Sequence, residues 1–164
     1  MVITKRIRQP ILNALVIIMI YALCAAGCSK KVEAPPPPTV INANIVAADG
    51  LNPDDSGRPS PIILRVYELK SLGAFEAADF FSLFEDDTTQ LGADLTHREE
   101  YQLRPGEQKI YRREPPPETQ YLAVMAGYRQ LNQAVWKASI LIPPEQTSQL
   151  TITLDALAVS IKSE

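Results

Sequence analysis

The sequence predicts a mainly β protein, a two-sheet β-sandwich carrying one small helical insertion. About seven short stretches alternate apolar and polar residues with the two-residue period of a strand. Turn signals such as Pro105-Gly106 and Pro115-Pro116-Pro117 separate them. Only one stretch, near residues 74–87, changes to a helical period. Short strands in succession with a single helix bury their apolar faces best as two packed sheets.

Residues 1–27 stand apart from this pattern. Lys5, Arg6 and Arg8 precede an apolar run from Ile11 to Leu23, and small residues Ala25, Ala26 and Gly27 lead to Cys28. That order is the pattern of a bacterial lipoprotein signal peptide. Small side chains let the extended chain enter a peptidase cleft, and the Cys28 thiol is the soft nucleophile that takes a lipid through a thioether. Such signals usually carry Leu three residues before the cysteine, where this chain has Ala25. The alternative is an uncleaved membrane helix, for which the roughly 20 apolar residues needed are marginally available between Ile11 and Gly27. Residues 28–38 then read as a lipidated tether. Four consecutive prolines, Pro35 to Pro38, favour polyproline II, and at about 3.1 Å per residue the segment reaches up to roughly 30 Å. Ser29 after the cysteine, in place of Asp, fits sorting to an outer membrane.

Residues 39–164 form the sandwich domain. Val40 to Ala48 places Ile41, Ala43, Ile45 and Ala47 on one face and Asn42 and Asn44 on the other. Ile62 to Leu69 resumes the alternation after a break of about thirteen residues, Asp49 to Pro61. Connections between neighbouring strands usually run two to five residues, and long ordered loops are disproportionately functional. Phe75, Phe80, Phe81, Leu83 and Phe84 fit a short helix whose aromatic face packs on a sheet, with Asp79 as its cap. A ligand pocket is the other use for such a stripe. Asp86, Asp87, Thr88 and Thr89 read as a polar turn ending it. His97 to Leu103 alternates weakly, Gln108 to Arg112 is short, and Gln120 to Tyr128 is apolar on both faces, as a central strand would be. Gln130 to Gln133 reads as a turn before Ala134 to Ile142. After Leu150, Ile152 and Leu154 the apolar phase slips to Leu157, Val159 and Ile161, which predicts a bulge or bend near Asp155-Ala156.

Composition narrows the function. The 16 Lys and Arg against 19 Asp and Glu give a net charge of −3, and loss of the three leader cations takes it to about −6. That sign disfavours nucleic acid. Cys24 and Cys28 both lie at or before the maturation point, leaving the domain no thiol for a disulfide, metal or nucleophile. His97 is the sole histidine, and no Ser-His-Asp or Cys-His set can be assembled around it. The acidic pairs Asp54-Asp55, Asp86-Asp87 and Glu99-Glu100 suit solvated turns or opposite strand faces. Asp49, Asn52, Asp54 and Asp55 miss the calcium-loop spacing, so neither enzyme nor cofactor is expected beyond the lipid on Cys28. What remains is the loop, in which Pro53, Pro59 and Pro61 stiffen the chain, Gly50 and Gly57 permit turns, and Arg58 sits near the exit. It reads either as a solvated connection or as a partner contact.

At these residues the chain resembles a known family. Asn52-Pro53-Asp54, Gly57-Arg58-Pro59-Ser60-Pro61, Arg65-Val66-Tyr67-Glu68-Leu69-Lys70 and Ala78-Asp79-Phe80-Phe81-Ser82-Leu83 are similar to the TssJ (SciN) lipoproteins of type VI secretion systems. Tyr121-Leu122-Ala123-Val124, Tyr128-Arg129 and Ala134-Val135-Trp136-Lys137 follow in the family's order. The resemblance implies a transthyretin-like sandwich on the periplasmic face of the outer membrane and no enzyme activity. It also implies binding to the periplasmic C-terminal region of TssM, in a membrane complex with TssL, through a loop corresponding here to Asn52, Pro53, Asp54, Asp55, Gly57, Arg58 and Pro59. A periplasm-facing lipoprotein with a small-ligand or hydrolytic role is the other reading of such a sandwich. Transthyretin-like hydrolases, however, use several histidines.

Overall fold

Residues 35–164, described by the computed structural model of the protein, build two four-stranded sheets facing each other. The predicted leader and Cys28 lie outside the described residues. One sheet runs β4 (Gln108–Arg113), β1 (Val40–Ala47), β7 (Thr147–Leu154), β8 (Val159–Ser163). The other runs β3 (Leu95–Leu103), β2 (Ile62–Leu69), β5 (Tyr121–Ala126), β6 (Lys137–Leu141). All neighbours are antiparallel except β1 and β7, which run parallel with Val40 beside Thr147 and Ala47 beside Leu154.

The two-residue period decides which side chains meet. Ile41, Ala43 and Ile45 of β1, with Leu150 and Ile152 of β7 beside them, face Leu64 and Val66 of β2 and Leu122 and Val124 of β5 in one buried cluster. Burying each such Leu, Ile or Val contributes about 1.5–3 kcal/mol. A second cluster covers the outer face of the β2–β5 pair. There Tyr67, Leu69, Ala123 and Met125 pack under Phe75 of α1 (Gly73–Ala77) and Leu83 and Leu91 of α2 (Phe80–Leu91). This is why β5 is apolar on both faces, as the sequence predicts.

The insertion begins as expected and then departs from expectation. Asp79 caps α2, accepting a hydrogen bond from Ser82 N at 3.0 Å. Phe80 and Phe84, one turn apart, stack at 5.4 Å, and Phe80 meets Trp136 edge-on at 5.4 Å. Asp86, Asp87, Thr88 and Thr89 do not end the segment as a turn; they lie within the helix, which kinks at Asp86 (φ −149°, ψ 68°) and continues to Leu91. The cause is a clamp from the sheet. Arg65 donates from Nη1 to the carbonyls of Leu83 (3.1 Å) and Phe84 (2.9 Å), which sit just before the kink, and to Asp87 Oδ2 (3.1 Å). Tyr67 OH and Arg98 Nε donate to the same oxygen at 3.0 and 2.7 Å. Asp87 is thereby buried with partners, the one condition under which a carboxylate settles inside. Burial and the neighbouring Asp87 charge push the Tyr67 hydroxyl pKa upward.

The five-residue α1 has no basic residue in its own last turn. Lys137 of β6 supplies the cation instead, donating to the carbonyls of Phe75 (3.0 Å), Glu76 (2.8 Å) and Ala78 (3.0 Å). Desolvation there holds its pKa below the ordinary lysine value.

Of the bulge or bend predicted near Asp155-Ala156 the structure has the bend, at Ala156 and Leu157, and it carries the chain through a full reversal. Asp155 N donates to Ala158 O at 2.8 Å, and β8 returns with Val159 opposite Leu154 and Ile161 opposite Ile152. A hairpin with an odd phase looks like a one-residue slip when read along the sequence. The stretch predicted from Ala134 is likewise shorter, since β6 starts at Lys137 and Val135 only bridges to Ala158.

The register sorts the connections to two ends. Segments 48–61, 104–107, 127–136 and 155–158 share one end, while Thr39, where the tether enters β1, and segment 114–120 lie at the other.

Candidate functional site: the distal loop

The β1–β2 loop is a small braced hairpin. Leu51, fully buried, plugs its base, and Ser60 N donates to Leu51 O at 2.9 Å. Further out, Asp54 N donates to Arg58 O at 2.9 Å and Gly57 N to Asp54 O at 2.8 Å. Gly57 stands at φ +78°, a conformation glycine takes without steric penalty, so the tip turns sharply.

Asp54 organises the tip. Its Oδ1 accepts from Ser56 N (2.9 Å) and Arg58 N (3.0 Å), and its Oδ2 accepts from Arg58 Nε (2.8 Å) and Nη2 (2.8 Å). Two donors of a planar guanidinium on one carboxylate fix the arginine in direction as well as distance. The Arg58 side chain is nevertheless 79% exposed and offers its outer edge to solvent. The hydrogen bonds from the Arg58 backbone and side chain hold the Asp54 carboxyl below its usual pKa, with Arg129 adding to the effect. A depressed carboxylate supports the folded loop at neutral pH, and that support fades as pH falls through the folded pKa.

The sequence-predicted loop residues separate into two roles. Asp55, Gly57, Arg58 and Pro59 are exposed, and Pro53 and Asp54 are half-buried. Asn52, in contrast, is only 2% exposed. Its Nδ2 donates to Pro61 O at 2.9 Å, its Oδ1 accepts from Arg129 N at 2.9 Å, and its own N donates to Ala156 O at 3.1 Å. It sits at φ +47°, in the left-handed region that Asn tolerates better than most residues. Asn52 thus ties the loop to both neighbouring connections. Asn52→Ala is expected to destabilise the domain by about 3 kcal/mol, through two lost buried hydrogen bonds and the left-handed backbone. Thermal unfolding of the variant checks this, and Asn52→Gly, which removes the bonds but relieves the backbone, should fall between.

Two other connections complete this end. Gly106, at φ +76°, lies so close that a Cβ there would stand 2.9 Å from Asp49 Oδ1. Sequence reasoning did not place Arg129 beside the loop; nothing in the linear pattern joins residues 77 positions apart, and only the Tyr128-Arg129 similarity singles it out. At the opposite end, the sequence also hides Glu68, which is 0% exposed and accepts from Tyr111 OH (2.6 Å) and Arg113 Nε (2.9 Å). Burial, with Glu68 alongside, drives the Tyr111 pKa upward. Among the described residues no three His, Asp or Glu side chains are placed to hold a metal ion. His97 is partly exposed on β3, 4.0 Å from Glu99.

Comparison with known proteins agrees with this architecture. Residues 39–157 match the family model described as type VI secretion lipoprotein, VasD, EvfM, TssJ. The crystal structure of the T6SS lipoprotein TssJ1 from Pseudomonas aeruginosa is similar with a TM-score of 0.76 and 40% identity, over 78% of this chain and 98% of that one. Serratia marcescens Lip, a membrane-bound component of the type VI secretion system, is similar at 0.68 and 25%, over 77% and 96%. A chain in a structure described as the TssM C-terminal domain from EAEC shares the fold at 0.64 and 20% identity, over 74% and 99%. No match was found among curated protein sequences. With the family model covering most of the sandwich and a 40% identical structure covering nearly the whole of its own length, the chain belongs to the TssJ (SciN) family of type VI secretion lipoproteins.

Proposed function

We propose that the protein is an outer-membrane lipoprotein, anchored through a lipid on Cys28, that holds the type VI trans-envelope complex by binding the periplasmic C-terminal region of TssM. The contact is the tip Asp54–Arg58, and TssL belongs to the same complex through TssM. One observation supports this reading above others: the tether enters β1 at Thr39 and the loop leaves β1 after Ala47, at its far end. Eight residues at about 3.3 Å each put roughly 26 Å between them. The tether thus joins the domain at the end opposite the loop, which supports a reading with the anchor at one end and the partner at the other. The tip is also preorganised by the Asp54–Arg58 pair, so docking orders few side chains.

Titration of the lipidated protein in detergent with the TssM periplasmic C-terminal region tests the reading. Arg58→Ala and Asp54→Ala are each expected to weaken binding about tenfold or more, the magnitude typical of an interface hot spot, with the unfolding temperature nearly unchanged. Affinity unaltered in both variants would remove the loop from the interface.

A further inference from the structure

We propose that the partner surface continues from the loop tip into the cleft between α2 and the β5–β6 connection, where an apolar side chain of the partner sits beside a carboxylate that pairs with Arg129. The inference rests on the reading of the distal end as the TssM-binding face and names the chemistry that face selects.

Phe81 is the first observation. The helical period turns Phe80 and Phe84 toward the sheet, and Phe81, about 100° further round, points away from it. It touches Phe80 edge-on at 5.5 Å and is 62% exposed. The fold does not require an aromatic ring there, since the outer cluster closes over Phe75, Leu83 and Leu91 without it. An exposed phenylalanine beside polar groups is the composition of an interface anchor.

The second observation is the shape beside it. Phe81 and Leu131 supply apolar wall, and Arg129, Gln130, Asn132 and Gln133 supply polar rim, around a cleft of about 550 Å³. Side-chain amides and a guanidinium suit the backbone and carboxylate that flank an inserted apolar residue. A partner segment pairing a large aliphatic or aromatic residue with Asp or Glu satisfies both parts.

Charge and continuity give the third. The Asp54 carboxylate is already held by Arg58, whereas Arg129 has no carboxylate in contact among the described residues. Arg129 N bonds Asn52 Oδ1 at 2.9 Å, so the cleft is joined to the base of the loop. Arg129 also lies near enough to bias the charge of Asp54. A partner docked on the tip thus has the cleft beside it.

The test uses the full lipidated chain in detergent and the TssM periplasmic C-terminal region, titrated against wild type, Arg58→Ala, Phe81→Ser, Phe81→Leu, Arg129→Glu and Arg129→Lys. Phe81→Ser and Arg129→Glu should each weaken binding about tenfold or more, with unfolding temperatures close to wild type because neither side chain fills the core. Phe81→Leu and Arg129→Lys should recover most of the loss, and Arg129→Glu should flatten the salt dependence of affinity. Binding by wild type that weakens with Arg58→Ala yet stays within twofold for Phe81→Ser and Arg129→Glu would overturn the inference and leave the loop reading standing. No binding by wild type would overturn both.

Discussion

Arg65→Met is expected to lower the stability of the domain by about 3 kcal/mol, a shift of roughly 10 °C in the midpoint of thermal unfolding. The guanidinium makes contacts that no other side chain replaces. Its Nη1 serves the carbonyls of Leu83 and Phe84 at the kink and the Asp87 carboxylate, its Nε serves Glu100 at 2.8 Å, and its plane lies 4.8 Å from the Phe84 ring centroid. Methionine preserves much of the volume and none of the donors, leaving two part-buried carbonyls without Arg65 and the Asp87 carboxylate with Tyr67 and Arg98 alone. The loss should be local before it is global, so limited proteolysis should cut α2 first. Arg65→Lys, which keeps the charge but lacks the fork geometry, should recover only part of the stability. A variant as stable as wild type would mean the kinked helix is held by its apolar face alone.

The second large effect concerns location. Cys28→Ala is expected to empty the outer-membrane fraction of the protein while leaving its affinity for the TssM region unchanged in solution. Each buried methylene contributes about 0.8 kcal/mol, so one acyl chain holds weakly and three hold firmly. Replacing Cys28, the proposed acylation site, would remove all of them together. The sandwich has its own continuous core from Ile41 to Val159. Fractionation followed by titration checks both halves, and a variant retained in the outer membrane would place the anchor elsewhere.

These effects differ in how far the sequence foretells them. Alternation in β1 and β7, the two apolar faces of β5 and the Asp79 cap are local patterns, and each is found where the periodicity places it. The loop is legible as a break in period between two strands, and the tight turn at Gly57 lies inside it. Buried charge is not legible. Arg65 falls on the face of β2 opposite Ile62, Leu64 and Val66, Glu68 on the apolar face itself and Asp87 in a predicted turn, and the groups that partner them lie 11 to 45 residues away, beyond any local pattern. Asn52 is hidden for a related reason: in a stretch rich in proline and glycine it reads as a turn residue, and the group that donates to its Oδ1 is the backbone N of Arg129, 77 residues on. The reversal after Leu154 is legible as a bulge or bend but not as a hairpin, because a change of parity is common to both.

The pairing of β1 also has a mechanical consequence. A pull between Cys28 and a partner on the loop would enter β1 at Val40 and leave it at Ala47, along the strand. That strand is flanked by β7 from Val40 to Ala47 and by β4 from Ile41 to Val46. Tension in this direction loads both ladders in shear, so their hydrogen bonds share the force and must fail together, whereas a pull across the sheet would peel them one at a time. The sandwich is therefore stiffest along β1, the direction in which the proposed anchor and the proposed loop contact would load it.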